Sequence, residues 1–314
     1  MGGLDLMHVR NRRQSIAARP GSVAVLAVVL AGITFPLEAR DGPLSLQQTR
    51  LDLTVGRFEG DYGFEDTTRY DVLATGLRWY FPRFELQVTL PLVSLEGPGD
   101  VRLVGGQPVP GFDGFQPGPP FRPPGAPGVP GPPGGEPDAP PPEETIETRR
   151  ESGLGDISLQ GEVYLFEGSE KSPWVIGLLR IKTPTGDEDR GLGTGKTDVE
   201  LGVSLIQSFG RTSLFADAGH TWIGKDDDTA LRNVVRLGAG ISVALDANSR
   251  NAVALYFENR VNAIRGLGDQ RTLAGSFSTR FGEERRLGLT ATGFAGLSDS
   301  TEDWGATLRL GYLF

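Results

Sequence analysis

The sequence contains no cysteine and only two histidines among its 314 residues. No disulfide can stabilise the chain and no thiol can carry an N-terminal lipid, so a secreted form must depend on a large core or on closure within a membrane. No apolar run reaches the roughly 20 residues that a membrane-spanning helix needs. The formal net charge of −9 argues against nucleic acid as a partner, because the surface that binds it would be basic.

The N-terminal segment has the layout of a secretory signal peptide. Arginines at positions 10, 12, 13 and 19 precede an apolar run at positions 22–35. This run is too short to span a bilayer, and Ala39 follows as a small residue suited to cleavage. We predict that residues 1–39 are a signal peptide and that residues 40–314 form the mature domain. A buried N-terminal helix is the alternative.

The C-terminal residues alternate between apolar side chains and side chains that are mostly small or polar. Read from the end, every second residue is apolar or aromatic: Phe314, Tyr312, Leu310, Leu308, Ala306 and Trp304. This period of two is that of a β-strand with one apolar and one polar face. A soluble sheet would bury the apolar face against another layer, whereas a membrane barrel exposes it to lipid.

Eleven further segments show related patterns, and most have the length of about 10 residues expected for a tilted membrane strand. In one of them, Val199, Leu201 and Val203 alternate with Glu200 and Gly202. The segment at 174–182 is ambiguous, because both of its faces are apolar unless two cations near its end mark the inward one. The twelve segments cover residues 49–58, 70–81, 84–92, 155–166, 172–182, 198–210, 212–224, 234–245, 252–261, 272–281, 286–297 and 304–314.

The connectors between these segments alternate between short and long. Short connectors include residues 81–83, 210–211 and 282–285, and long ones include residues 59–69, 96–150 and 183–197. Outer-membrane barrels have short periplasmic turns and long outer loops, so both termini would lie on the periplasmic side. We predict an all-β fold, a transmembrane antiparallel up-and-down β-barrel of about 12 strands. A soluble β-sandwich is the alternative, but it offers no reason for this alternation.

Aromatic residues gather near the predicted periplasmic end. Trp79, Phe81, Phe84, Tyr312 and Phe314 would form part of the aromatic girdle at that membrane interface. The C-terminal pattern also resembles the sorting signal read by the barrel-assembly machinery of bacterial outer membranes, with its signal residues at Leu308, Leu310, Tyr312 and Phe314. We therefore expect the chain in the outer membrane of a Gram-negative bacterium, with this machinery, membrane lipid and lipopolysaccharide as partners.

Residues 96–150 form the longest predicted loop, and much of it is proline and glycine. Gly125, Gly128, Gly131 and Gly134 recur every third residue as in collagen, but the run is too short for a stable triple helix. Because proline donates no backbone hydrogen bond, we predict neither strand nor helix over residues 97–142 but a disordered, partly polyproline-II outer loop. It could be a lid, a tether, a spacer or a tolerated insertion.

Three features resemble chemical sites but lack the required context. Residues 191–198 resemble a phosphate-binding loop, but Arg190 stands where its first glycine is needed, and a strand rather than a helix should follow. Acidic clusters at 187–189 and 226–228 match no calcium-loop spacing. His220 has no evident serine and orienting polar group beside it. The sequence predicts no enzyme, no metal site and no cofactor.

Two stretches carry a resemblance to a known family. Residues 152–166 begin with Ser-Gly-Leu-Gly-Asp, and residues 181–224 contain Lys-Thr-Pro-Thr-Gly-Asp, then Gly-Leu-Gly-Thr-Gly and a strand that opens with Asp198. These motifs resemble the outer-membrane family of transporters linked to the meta-cleavage pathway of phenol degradation, with similarity from Gly153 to Phe314. The resemblance implies passage of aromatic or other apolar small molecules. The proline-rich loop departs from the family pattern.

A barrel of about 12 strands has room for a narrow lumen at most. The polar faces of the strands supply charged residues that we expect to line it: Glu85, Glu162, Glu200, Asp217, Arg236, Glu258, Arg260, Arg280 and Arg309. These charges could steer polar solutes, or they could pair across strands and stiffen the wall. The leading hypothesis is passive transport of small molecules across the outer membrane. The alternative is a closed structural barrel that displays the proline-rich loop.

Overall fold

A computed structural model describes residues 47–63, 66–98, 101–109, 148–169, 171–225 and 230–314, together with a two-residue strand pair, Ala27–Val28 and Ala31–Gly32. Apart from that pair, the predicted signal peptide lies outside the described residues, as do residues 110–147 of the proline-rich loop. No helix within the described part of the chain is long and apolar enough to cross a membrane.

Twelve strands form one closed antiparallel barrel, which confirms the predicted fold class. The strands are β1 (Gln48–Gly60), β2 (Thr68–Tyr80), β3 (Phe84–Pro98), β4 (in two parts, Thr148–Leu154 and Ser158–Phe166), β5 (Trp174–Lys182), β6 (Asp198–Phe209), β7 (Thr212–Trp222), β8 (Val234–Ala244), β9 (Asn251–Arg260), β10 (Gln270–Phe281), β11 (Leu287–Gly296) and β12 (Trp304–Leu313). The sheet closes because β12 pairs with β1 from Trp304 opposite Glu59 to Leu313 opposite Arg50. Closure leaves no strand edge unpaired, as a lipid environment requires.

The alternating pattern sorts side chains between the two faces of the barrel. On β6, for example, Leu201, Val203 and Leu205 are exposed on the outer surface, whereas Glu200 and Ser204 are buried inside. The outer surface is therefore apolar and the interior carries the polar groups, the arrangement of a barrel that is solvated by lipid.

In strand β5, whose sequence is ambiguous, the face that carries the two cations points into the barrel. Arg180 and Lys182 point inward together with Ile176 and Leu178, and Leu179 is exposed on the outer surface. The inward face of this strand is thus set by the charges near its end, since both faces are apolar elsewhere.

Aromatic side chains mark both ends of the apolar outer surface. At the short-turn end, the rings of Tyr312 and Phe314 are 4.9 Å apart and those of Phe81 and Phe84 are 4.3 Å apart. At the long-loop end, Trp304 is exposed on the outer surface. Such positions suit the two membrane interfaces.

The predicted alternation of short and long connectors is present in the structure. The short turns are tight. Asp246, for example, accepts backbone hydrogen bonds from Asn248, Arg250 and Asn251, at 3.0, 3.0 and 2.7 Å, and closes the turn between β8 and β9. Gln47, where the described barrel begins, and Phe314 both lie at this end of the barrel, because the N–H of Gln47 donates to Tyr80 O and that of Phe314 donates to Thr49 O.

The prediction that residues 97–142 hold no strand is wrong for the first part of that segment. Strand β3 continues to Pro98 and β4 begins at Thr148. Between them, Arg102–Val104 pairs with Gln107–Val109 in a short antiparallel hairpin, which we call the loop hairpin. Its turn is Gly105–Gly106, where φ is 56° and 80°, values that glycine adopts without strain. Proline is tolerated here because a two-stranded ribbon consists of edge strands only.

Candidate functional site: a charged lumen

The structure places all nine predicted lumen residues at inward positions of their strands, where each is buried or half-buried. Seven of them lie on the wall formed by β3 to β9: Glu85, Glu162, Glu200, Asp217, Arg236, Glu258 and Arg260. Arg280 and Arg309 lie on β10 and β12, on the remaining arc. The predicted residues therefore do not form a single cluster.

Strand register determines which of these charges meet. One row of cross-strand partners runs through Arg78, Gln87, Gln160, Arg180 and Glu200, from β2 to β6. The neighbouring row runs through Glu85, Glu162, Leu178, Gly202, Gly219 and Arg236, from β3 to β8. On the strands that both rows cross, β3 to β6, the rows are two residues apart, so acids of one row lie next to cations of the other.

Arg78 begins this series near the short-turn end. Its Nη1 lies 2.7 Å from Oε2 of Glu85, and its Nη2 donates to the amide oxygen of Gln87. The hydroxyl of Tyr164 donates to the second oxygen of Glu85. All of these groups except Gln87 are buried, so the charges of Arg78 and Glu85 neutralise each other away from bulk water.

Arg180 extends the series across β5. Its Nε donates to Oε1 of Gln160 at 3.0 Å, and its Nη1 lies 2.8 Å from Oε2 of Glu200. Gln160 in turn donates to Glu162 at 2.7 Å. Amide and ionic groups thus link three successive strands.

Arg236 is the centre of the series on β6 to β9. It lies 3.2 Å from Oε1 of Glu200, 3.6 Å from Oε2 of Glu258 and in close contact with Asp217. The hydroxyl of Tyr256 donates to Asp217 at 2.9 Å. One guanidinium therefore contacts three carboxylates, and Arg180 supplies a second positive charge to Glu200. We call the connected series from Arg78 to Glu258 the ion-pair ladder.

Glycine creates the space that this centre needs. A Cβ atom on Gly238, which lies between Asp217 and Glu258 in the register, would overlap the ring and hydroxyl of Tyr256. The missing side chain lets Tyr256 reach Asp217 across β8.

The motifs that suggested a family hold the outer loop between β5 and β6. Lys182 Nζ lies 2.6 Å from Oδ2 of Asp156 and 3.2 Å from Oδ2 of Asp198. The other oxygen of Asp156 accepts the N–H of Gly186 at 2.8 Å. These residues therefore fix residues 183–197 to the barrel rim, which gives the motifs a structural role.

The loop hairpin lies over the lumen at the long-loop end. Val104 and Val109 are buried against a cluster that includes Ile223, Leu231 and Ile264. The backbone also ties the hairpin down: Leu103 N donates to Gly191 O at 2.9 Å, and Gly105 O accepts from Arg260 at 3.3 Å. The hairpin therefore narrows the outer mouth.

A cavity of about 140 Å³ lies between the loop hairpin and the ion-pair ladder. The charged part of its wall includes Arg180, Glu200, Asp217, Arg236 and Glu258. The apolar and aromatic part includes Tyr70, Val93, Leu103 and Phe215. The cavity thus offers both charged and apolar surface to a small molecule.

The three features that resembled chemical sites are a phosphate-loop-like segment, two acidic clusters and His220, and the described ones among them make structural contacts. A strand, β6, follows residues 191–195. Glu188 of the first acidic cluster pairs with Arg102 at 3.3 Å, and the second cluster at 226–228 lies outside the described residues. No group of three potential metal ligands occurs within the described ranges. His220 packs edge-on against Trp222, with ring centroids 4.6 Å apart.

Glu302 is an additional buried acid that the sequence did not single out. It lies in the loop between β11 and β12, outside the strands, and Thr272 is 3.5 Å from its carboxyl group. Burial raises the pKa of Glu302 to about 7. The folded loop therefore retains this proton at a pH where the unfolded chain has released it.

The replacement Glu302→Gln is expected to flatten the pH dependence of stability. Because the folded pKa is the higher one, the wild type loses stability as pH rises from the ordinary glutamate range through about 7, by about 2 kcal/mol between pH 5 and pH 8. Thermal unfolding followed by tryptophan fluorescence at both pH values measures this loss. An equal loss in the variant would show that Glu302 is not its source.

An apolar outer surface, a closed antiparallel sheet and a charged interior define the class of outer-membrane β-barrel proteins. The chain belongs to the family described as "Putative MetA-pathway of phenol degradation", whose profile matches residues 59–314. The search of curated proteins found no match.

Solved structures of outer-membrane proteins are similar to this chain, and the first of them shares its fold. An outer membrane channel from Pseudomonas putida F1 is 13% identical and has a TM-score of 0.59, with 88% of this chain and 100% of that chain covered. The KdgM porin is 7% identical, with a TM-score of 0.46 and coverage of 84% and 99%. The translocator domain of the autotransporter NalP from Neisseria meningitidis is 10% identical, with a TM-score of 0.49 and coverage of 86% and 90%. At these identities the similarity concerns the fold alone.

Proposed function

We propose that the protein is a channel for passive passage of small molecules across the outer membrane of a Gram-negative bacterium. The observation that carries this proposal is the ion-pair ladder around the inside of a closed barrel, next to a cavity of about 140 Å³. A purely structural barrel would gain more from an apolar filling, because buried charges must offset the cost of their desolvation. Arg236 and Glu258, which line the cavity and keep part of their side chains exposed, avoid part of that cost and can act on passing solutes.

Swelling of liposomes that contain refolded residues 40–314 tests this function. We expect swelling in uncharged solutes of increasing size to be fast for the smallest and to fall steeply, because the cavity beneath the loop hairpin holds only about 140 Å³. Liposomes without protein and liposomes with heat-unfolded protein are the controls. A correctly folded barrel that leaves the swelling rate at the protein-free level would contradict passive passage.

The buried loop hairpin also supports a second candidate, a closed barrel that displays the proline-rich loop. Val104 and its partners fill the outer mouth as a core does. This candidate predicts that removal of residues 110–142 changes a surface property of the cell, such as adhesion, while permeability stays the same. The two functions are thus separated by permeability measured on the intact chain.

We also propose that Leu308, Leu310, Tyr312 and Phe314 act as the assembly signal. The support is their position: Leu308, Leu310 and Tyr312 lie on the last strand of the barrel, and Phe314, whose side chain is exposed, directly follows it. Removal of Phe314 is expected to lower the amount of folded barrel in the outer-membrane fraction, as measured by its heat-modifiable gel shift. An unchanged amount would exclude this role for Phe314. Lipid and lipopolysaccharide would surround the apolar outer surface.

A further inference from the structure

Three arginines point into the barrel on the arc that the ion-pair ladder does not cover. They are Arg50 on β1, Arg280 on β10 and Arg309 on β12, all near the short-turn end of their strands. Register connects them: Arg280 lies opposite Gly288, which lies opposite Gly311. Arg309 is one inward position from Gly311 on the same strand.

These arginines have far fewer carboxylate partners than the ladder. Arg50 lies 2.8 Å from Asp52. Among the described residues, no acid lies within ion-pair distance of Arg280 or Arg309, and Nε of Arg309 is buried without a hydrogen-bond acceptor. The arc therefore carries three positive charges and one negative charge, a surplus of two.

The arginines of the ion-pair ladder differ from Arg280 and Arg309, because their charges are paired with carboxylates of the protein. Arg78, Arg180 and Arg236 each contact at least one carboxylate within the wall. Arg280 and Arg309 are half-buried on the inner wall, and their guanidinium groups have donors that no carboxylate of the described wall accepts, so both can bind an anion that comes from outside the chain.

Space for such an anion exists beside the arginines. Gly288 has no side chain, and the nearest atom to a Cβ placed there would be a backbone oxygen 3.9 Å away. The neighbouring inward groups Ser278 and Thr290 are neutral and can donate hydrogen bonds. Guanidinium forks and hydroxyl groups together match the two oxygens of a carboxylate.

We propose that Arg50, Arg280 and Arg309 form a binding site for the carboxylate group of small anionic solutes in the periplasmic half of the lumen. This inference rests on the proposed channel function and names its substrate class. The site gives the channel a preference for anions over cations and for carboxylates over neutral molecules of the same shape.

Two measurements on refolded protein test the site. In detergent, calorimetry compares benzoate with benzamide, its neutral isostere. We expect benzoate to bind at least about 10-fold more tightly, which corresponds to 1.4 kcal/mol.

In a planar bilayer, the reversal potential in a KCl gradient should indicate that the channel prefers anions to cations. The variant Arg280→Gln/Arg309→Gln should lose both properties. The control Arg211→Gln/Arg286→Gln removes the same charge from two short turns outside the site and should keep them.

The outcomes separate this inference from the channel function. Equal affinity of wild-type protein for benzoate and benzamide overturns the site, and this comparison needs no variant to fold. Selective benzoate binding that the Arg280/Arg309 variant loses, without any conductance, supports the site and contradicts the channel. Conductance with a reversal potential that is the same in the wild type and the variant supports the channel and overturns the site.

Discussion

Removal of the loop hairpin, residues 102–109, is expected to raise the single-channel conductance of the barrel at least about two-fold, because conductance follows the narrowest cross-section. The hairpin occupies the outer mouth, with Val104 fully buried against Ile223, Leu231 and Ile264. Its removal also frees Arg260 from Gly105 and therefore exposes a further charge to the lumen. Planar-bilayer recordings of the refolded variant and the wild type measure the change.

A second deletion in the same loop provides the control. Removal of residues 126–133 takes away the same number of residues and leaves the loop hairpin unchanged. We expect this variant to conduct as the wild type does. If both deletions raise the conductance equally, loop length rather than the hairpin controls the mouth. If neither deletion changes it, the constriction lies deeper, at the ion-pair ladder.

The replacement Arg236→Met is expected to destabilise the barrel by about 3 kcal/mol, since loss of one partner leaves buried charge uncompensated. Arg236 contacts Glu200, Asp217 and Glu258. Glu200 also pairs with Arg180, and Glu258 also interacts with Arg260, so Asp217 depends most on Arg236. Methionine keeps most of the length of the side chain and removes the charge. Denaturant unfolding in lipid vesicles, followed by tryptophan fluorescence, measures the loss.

Neutralising the acids should reverse much of this loss. In the triple variant Arg236→Met/Asp217→Asn/Glu258→Gln the positive charge and two of its partners are removed together, so we expect at least half of the lost stability to return. Arg265→Met, which changes a loop arginine outside the ladder, is the matched control and should be near neutral. A triple variant less stable than Arg236→Met alone would mean that the carboxylates are stabilised by groups other than Arg236.

The strands were predictable because alternation is a local property of the sequence. All of the twelve segments except β5 contain enough outward apolar residues to define their lipid face, and the short turns supply the boundaries. Strand β5 shows the limit of this signal, because Arg180 and Lys182 alone distinguish its two faces. The inward position of the nine predicted charged residues follows from the same local alternation.

The partners of these charges were not predictable, because they depend on register and barrel shear. Arg78 and Tyr256 were missed, although both lie on the polar side of their strands and a systematic listing of inward positions would have found them. That Arg236 meets three acids, whereas Arg309 meets none among the described residues, follows only from strand pairing. The loop hairpin was missed because the proline-rich composition of residues 110–142 was extended to the valine-rich stretch before it.

Single-channel recording of refolded residues 40–314 in a planar bilayer tests most directly whether this barrel is an open path for small solutes. The charged lumen predicts steady openings of low conductance that tolerate voltage, with larger openings when residues 102–109 are removed. A barrel that is folded by its gel shift yet silent in both forms would contradict a solute channel. Such a result would favour a closed barrel that displays its outer loop.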